Sequence, residues 1–373
     1  MKALIDAHML GADETGNETY IRGLLQGLLE IGAPQAVAVR ESGLRALASD
    51  EAAGDRAPAH DVRVLRRGSD VSRLLVELPK LARNLGASLV HCTYVAPPRC
   101  PVPTVVTVHD VSFARHPEWF TLRDRALLGA AVPYFARRAN AVITPSEHAR
   151  REVIELLGVP ERRVHVTPEA CGPEFRPVEA AERASALHRC GVDGPYVLSL
   201  GNLQPRKNLR RLLEAWRGLR DARCLEGHRL VLAGGAHGKR EPMARLVAEA
   251  GLGDSVLLPG YVPQADLPAL YSGATAFGYP SLYEGFGLPA LEAMACGSPV
   301  ACSNAASLPE VAGDAALLFD PLDIEGIAAS LGALLADEGL RAAPVARGFA
   351  RAASFSWAAC ARDTLAAYEA ALA

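Results

Sequence analysis

The sequence predicts an α/β protein made of two doubly wound domains, each a parallel sheet with helices on both faces. Three observations carry this expectation. Short apolar, β-branched runs alternate with longer amphipathic runs along most of the chain. The alternation stops between residues 167 and 195, where Pro168, Gly172, Pro173, Pro177, Gly191, Gly194 and Pro195 cluster and a linker is expected. The length, 373 residues, suits about two globular domains. Strands that alternate with helices pair in parallel and are covered on both sides.

In the first half, strands are expected at Ala3–Asp6, Val37–Arg40, Val62–Leu65, Leu89–Cys92, Val105–His109, Ala141–Thr144 and Val164–Val166. Helices fall between them at Thr19–Glu30, Ser72–Leu85, Leu122–Arg138 and Glu147–Leu157, the last with Ser146 as its N-cap. After the linker the pattern resumes. Strands are expected at Val197–Leu200, Leu230–Ala233, Val256–Leu258, Ala274–Phe277 and Val300–Cys302, with helices at Leu209–Leu219, Pro242–Ala250, Leu267–Tyr271 and Ala290–Ala295. In doubly wound sheets ligands bind beyond the carboxyl ends of the strands. In a two-domain version the natural site is the cleft between them.

Composition removes several function classes. Lys+Arg 39 against Asp+Glu 42 gives a net charge of −3, so nothing marks nucleic acid as a partner. No apolar run approaches the ~20 residues of a membrane helix. The N-terminal MKALIDAHML runs into a strand pattern without a signal-peptide cleavage pattern, so a cytoplasmic location is expected. The eight cysteines are scattered without a CxxC, as for free thiols in a reducing compartment. Only Lys2, Lys80, Lys207 and Lys239 are lysines, which makes a lysine at a special place informative.

The strongest motif runs Pro280-Ser-Leu-Tyr-Glu284-Gly285-Phe286-Gly287-Leu288-Pro289-Ala-Leu-Glu292. Gly285 and Gly287 permit tight backbone conformations beside a ligand. Pro289 suits the first turn of a helix, whose free N–H groups favour an anion such as a diphosphate. Glu284 then lies in the loop and Glu292 about one turn inside the helix, where a carboxylate can accept two ribose hydroxyls. The second motif is Gly201-Asn202-Leu-Gln-Pro-Arg206-Lys207-Asn208, closing a strand and opening a helix. Its adjacent cations suit a phosphate, Arg206 by a bidentate grip and Lys207 as a point charge. The third is the apolar strand ending in His109-Asp110, where His109 can donate to a sugar hydroxyl or a backbone carbonyl. The fourth and weakest is the turn from Gly11 to Asn17, with Gly16-Asn17 just before a helix and facing the diphosphate across the cleft.

Other candidates fail. No GxGxxG opens a helix, which weighs against a dehydrogenase. Gly234-Gly-Ala-His-Gly238-Lys239-Arg240 imitates a phosphate loop but lacks Ser or Thr after the lysine, and reads as a plain turn. There is no DxD string and no HExxH, so no metal site and no cofactor are expected.

Taken together, these residues resemble family 4 of the retaining GT-B glycosyltransferases. Glu284 to Glu292 looks like that family's Glu-x7-Glu motif, and Gly201 to Asn208 like its phosphate-binding turn. The resemblance extends to Val108-His-Asp, Ile143-Thr-Pro-Ser-Glu, Gly260-Tyr-Val-Pro, Ser307-Leu-Pro-Glu-Val and Gly313-Asp-Ala-Ala. The N-terminal glycine turn departs from it, with Thr15-Gly16-Asn17 where members often have Gly-Gly or Gly-Ile-Gly.

The resemblance implies two Rossmann-like domains facing each other across a cleft. Residues 1–175 would form the acceptor side, with helix 356–373 packed back on it, and 190–350 the donor domain. It further implies a GDP- or UDP-linked hexose donor, mannose or similar, and a saccharide or lipid-linked acceptor in surface polysaccharide synthesis. Peripheral contact with the inner membrane face is a further expectation. Glu292 would hold the ribose, Arg206 and Lys207 the diphosphate, Glu284 the donor sugar's hydroxyls, and His109 the sugar near its C6 hydroxyl. The backbone of Gly285–Leu288 would line phosphate and sugar, and Val262 would sit near the base. Competing readings are a nucleotide-sugar epimerase, a phosphorylase on a similar scaffold with Lys239 as the one spare second-domain lysine, and a non-catalytic nucleotide-sugar binder.

Overall fold

The computed structural model describes residues 1–12, 15–51, 59–66, 69–201, 204–225, 227–234 and 243–373. Two expected features, Asn202 and the turn around Lys239, lie outside them, as does Pro242 of an expected helix. The chain divides into two compact units, Met1–Ala170 with Ser356–Ala373, and Cys171–Phe355.

The first unit carries β1 (Ala3–Asp6), β2 (Ala36–Val39), β3 (Asp61–Val64), β4 (Leu89–Thr93), β5 (Thr104–Thr107), β6 (Ala141–Thr144) and β7 (Val164–Val166). They form a parallel sheet in the order β3-β2-β1-β4-β5-β6-β7. The strands read as continuous apolar runs because both faces are covered. Leu4, Val90, Val106 and Val142 face Leu78, Ala82 and Val132 on one side. Their neighbours Ala3, Leu89, Val105, Ala141 and Ile143 face Ala367 and Tyr368 of helix Trp357–Leu372 on the other. That helix lies along helix Thr15–Glu30. A Cβ on Gly23 would strike the Trp357 indole, and one on Gly27 its carbonyl.

The second unit carries β8 (Tyr196–Leu200), β9 (Arg229–Ala233), β10 (Val256–Gly260), β11 (Ala276–Tyr279), β12 (Val300–Ser303) and β13 (Ala316–Phe319), also parallel, in the order β10-β9-β8-β11-β12-β13. The chain winds outward from β8 to β10, then returns to the middle and winds the other way from β11. The reversal between β8 and β11 is the topological switch point, where doubly wound sheets place ligands.

Several boundaries differ from the sequence reading for local reasons. Helix Thr15–Glu30 begins early enough to take in Gly16, which therefore lies in its first turn rather than before it. β11 starts two residues late because helix Leu267–Gly273 continues to Gly273 and Ala274 turns extended as its cap. β5 stops at Thr107, which leaves His109 in the following loop. The expected linker contains helix Ala180–Arg189, ended by Gly191 with φ +64°. Between Ser69 and Leu85 the helix is interrupted by a π turn, Arg73–Glu77, where the buried Arg73 pairs with the buried Asp6 at the end of β1. Among the described residues, no helix is long and apolar enough to cross a membrane.

Candidate active site

The second unit's motifs meet at its switch point. β8 runs into Gly201, whose φ of +151° places it in the region open to glycine. A side chain there would lie 3.1 Å from the Lys207 Cε. The turn Pro205–Lys207 then brings Arg206 and Lys207 to the carboxyl edge of the sheet. Asn208 follows with φ +57°, and its amide donates to the carbonyls of Pro280 (3.1 Å) and Pro321 (2.7 Å). From the neighbouring strand β11 come Tyr279 and the loop to Glu284. The Leu282 N–H donates to the Arg206 carbonyl at 2.8 Å, fastening the two loops.

Glu284 is the hub of this junction. Its Oε2 accepts from Arg206 Nη1 at 2.6 Å, and its Oε1 from Lys207 Nζ at 2.7 Å and Ser281 Oγ at 2.5 Å. Lys207 Nζ also donates to the Tyr279 hydroxyl at 2.7 Å. Both Glu284 and Lys207 are buried. Burial alone would raise the Glu284 pKa, but Arg206 and Lys207 outweigh it and hold the carboxyl at about 2. Two positive charges against one leave a net positive site that suits an anionic ligand.

Behind Glu284, Gly287 takes φ +114° as the N-cap of helix Leu288–Ala295, and a Cβ there would lie 2.6 Å from Leu308. Gly285 does not enter the left-handed region, so the expected special conformation belongs to Gly287 alone of the two. Ser307 Oγ lies 2.9 Å from the Glu284 carbonyl and 2.7 Å from that of Phe286, pinning the loop. Phe286 and Leu288 point into the apolar core, as does Val262, so any ligand contact they make is by backbone. Glu292 is buried on the same helix, and its Oε2 accepts from the Tyr271 hydroxyl at 2.8 Å. Burial raises its pKa to about 7, with the Tyr271 hydrogen bond pulling the other way.

The first unit holds His109. Its Nδ1 lies 2.9 Å from Glu169 Oε1, and its Nε2 is buried with no hydrogen-bond partner. The ring meets Tyr20 edge-on at 4.6 Å between centroids and Tyr94 at 5.9 Å. Gly16 is exposed, and a Cβ on it would meet nothing within 4 Å.

The structure thus brings Gly201, Arg206, Lys207, Glu284, Gly285, Phe286, Gly287 and Leu288 to one sheet edge, with Glu292 on the adjoining helix. His109 and Gly16 belong to the other unit. Sequence reasoning gave no role to Glu169, Tyr271, Tyr279, Ser281 or Ser307, although Ser281 and Ser307 stand inside the motif strings. Ser281 and Tyr279 stand within five residues of Glu284, so proximity to the motif was a usable signal. Tyr271 and Glu169 lie 21 and 60 residues from their partners, and no local pattern links them.

A family model described as Glycosyltransferase Family 4 matches residues 15–175, and one described as Glycosyl transferases group 1 matches 184–351. The O-antigen chain mannosyltransferase B of Escherichia coli is 38% identical over 266 residues, which is 71% of this chain and 70% of that one. The serotype-specific mannosyltransferase WbdA of Escherichia coli is 37% identical over 59% of this chain but only 28% of its own. Among solved structures, sucrose-phosphate synthase from Thermosynechococcus elongatus superposes with a TM-score of 0.75 at 23% identity over 98% of both chains. HepE from Anabaena, bound to UDP and glucose, gives 0.74 at 18% identity over 99% of both. The likeness to solved structures shows the fold, and with the two matched halves and the 38% identical relative it leads to one conclusion: the chain belongs to family 4 of the GT-B glycosyltransferases.

Proposed function

We propose that this glycosyltransferase moves a hexose, mannose for preference, from a GDP- or UDP-linked donor to a saccharide or lipid-linked acceptor in surface polysaccharide synthesis, with retention at the anomeric carbon. The observation that carries the donor class is the convergence of Arg206, Lys207 and Glu284 at the second unit's switch point, beside the start of a helix that carries Glu292. Mannose is favoured by the names of the relatives, O-antigen chain mannosyltransferase B above all. In this reading Glu292 accepts the ribose hydroxyls. As the bond to the sugar breaks, negative charge grows on the departing diphosphate, and Arg206, Lys207 and the N–H groups at the start of helix Leu288–Ala295 stabilise it. The anomeric centre becomes oxocarbenium-like, and the departing phosphate helps to deprotonate the acceptor hydroxyl on the same face. These cations supply the charge that a metal ion would otherwise supply, so the reaction needs no metal cofactor and survives EDTA.

In the same reading, the face that meets the membrane is helix Leu122–Arg138. Leu122, Leu127 and Tyr134 are exposed on it, beside Arg123, Arg125, Arg137 and Arg138 against Asp124. Apolar side chains set among cations suit an anionic lipid surface.

The test is thermal stabilisation by a panel of nucleoside diphosphates and nucleotide sugars, followed by transfer assays with each binder. A ligand at 100 times its Kd stabilises by about 2.7 kcal/mol. A panel in which no nucleoside diphosphate raises the unfolding temperature refutes the donor assignment.

A further inference from the structure

We propose that Glu169 is a positioning residue that fixes the tautomer of His109, so that the imidazole presents a lone pair at Nε2 to a substrate hydroxyl. The identity of that hydroxyl-bearing ligand rests on the function proposed above; the tautomer does not.

The geometry comes from the sheet. In the order β5-β6-β7, the carboxyl ends of β5 and β7 are two strand spacings apart, roughly 9.5 Å. His109 stands two residues beyond β5 and Glu169 three beyond β7. Their side chains reach across the end of β6 and close to 2.9 Å. Glu169 is 4% exposed. An ionised carboxylate only accepts, so Nδ1 carries the hydrogen and, in the neutral ring, Nε2 does not.

The ring's surroundings hold the imidazole without supplying a partner to Nε2. Tyr20 and Tyr94 meet it edge-on and hold its plane. The Tyr20 hydroxyl is engaged with Thr107 Oγ1 at 3.0 Å. Nε2 itself is buried and lacks a hydrogen-bond partner, a state that native structures seldom leave without a use.

This polarity reverses the expectation that His109 donates to a sugar hydroxyl. An acceptor at Nε2 selects a group that can donate. A sugar hydroxyl qualifies. A carboxylate does not, and it would also face the charge of Glu169 through the ring, so a neutral substrate is favoured over an acidic one at this position.

The experiment uses the full chain with nitrogen-15-labelled histidine. Long-range nitrogen–proton correlation near neutral pH reads the His109 tautomer, assigned by its loss in His109→Ala. The expected result is a protonated Nδ1 and a bare Nε2. The Nε2–H tautomer, or an imidazolium protonated on both nitrogens, overturns the proposal. In transfer assays Glu169→Ala lowers kcat by about 10- to 100-fold, the scale known for carboxylates that orient a metal-bound histidine. The donor KM stays within about threefold, since the ground-state nucleotide contacts lie elsewhere. Glu169→Gln, whose amide oxygen can still accept from Nδ1, restores most of the rate. The double variant His109→Ala with Glu169→Ala is no slower than His109→Ala alone. A Glu169→Ala enzyme with wild-type kcat, a Gln variant as slow as the Ala variant, or losses that multiply would each overturn it. If the unmodified chain transfers no sugar from any nucleotide donor, the functional reading fails, and the spectrum still decides the tautomer.

Discussion

Replacing Glu284 by alanine removes the hub of the second unit's site. Lys207 keeps the Tyr279 hydroxyl but loses its buried counter-ion, and Ser281 loses its acceptor. The structure sets the size of the effect. The carboxyl is held at about 2 against an ordinary 4.5. At about 1.4 kcal/mol per pH unit this amounts to about 3 kcal/mol. Breaking a buried ion pair by removing one partner costs about 3–5 kcal/mol, the same scale. For a unit of this length each kcal/mol moves the midpoint by about 2–4 °C, so a drop of roughly 10 °C is expected near pH 7. The sign with pH follows from a depressed folded pKa. The stabilisation is fully present above 4.5 and is lost as pH falls towards 2, so roughly half of the gap is gone by pH 3. The assay is thermal unfolding of both proteins at the two pH values. A midpoint within 2 °C of wild type near pH 7, or a gap that does not shrink in acid, refutes the assignment of Glu284 as the stabilising partner of both cations.

Glu292, raised to about 7 by burial, titrates in the opposite sense. The folded state holds its proton more tightly than the unfolded one, so it weakens the fold as pH rises from 4.5 through 7, while in the proposed function nucleoside diphosphate affinity rises, because the ionised carboxylate accepts from both ribose hydroxyls with both oxygens. Calorimetry near pH 6 and pH 8 should show this rise in wild type and a flat, weaker profile in Glu292→Gln. If Lys207 faces the diphosphate as proposed, Lys207→Ala should lower kcat more than it weakens donor binding, because charge on that group grows towards the transition state; a rise in donor KM with kcat unchanged contradicts it. Gly27→Ala forces a methyl against the Trp357 backbone and should cost about 1–3 kcal/mol or more, read as a lower unfolding midpoint.

Most strands were legible in the sequence because buried parallel strands are nearly continuous apolar runs, as Ala3, Leu4 and Ile5 or Ala141, Val142 and Ile143 show; the edge strand β13 was not, since three of its four residues are only partly buried or exposed. Helix Ala180–Arg189 was not, since Ala186 is its only wholly buried residue and the surrounding prolines and glycines masked it. In the site, Arg206, Lys207, Glu284 and Glu292 were legible as chemistry set beside glycines at an expected strand end. Their mutual pairing was not, because Arg206 and Glu284 stand 78 residues apart and meet only once β8 and β11 lie side by side. Glu169 escaped for a related reason. It sits in the Pro- and Gly-rich stretch that reads as a linker, and its pairing with His109 appears only when β5, β6 and β7 are ordered.

The first unit is split in the chain, leaving at Ala170 and resuming at Ser356, whereas the second unit, Cys171–Phe355, is continuous. Synthesis on the ribosome therefore meets a scheduling problem. The sheet face of Ala3, Leu89, Val105, Ala141 and Ile143 is made early, but Ala367 and Tyr368, which cover it, emerge only after the whole inserted unit has been translated. At about 5–20 residues per second the interval is roughly 10 to 40 s. For that time a nascent apolar surface waits beside the exit tunnel while the inserted unit can already close on itself. The half of the molecule begun first is the half finished last, and a chaperone that holds open sheets would find its substrate there.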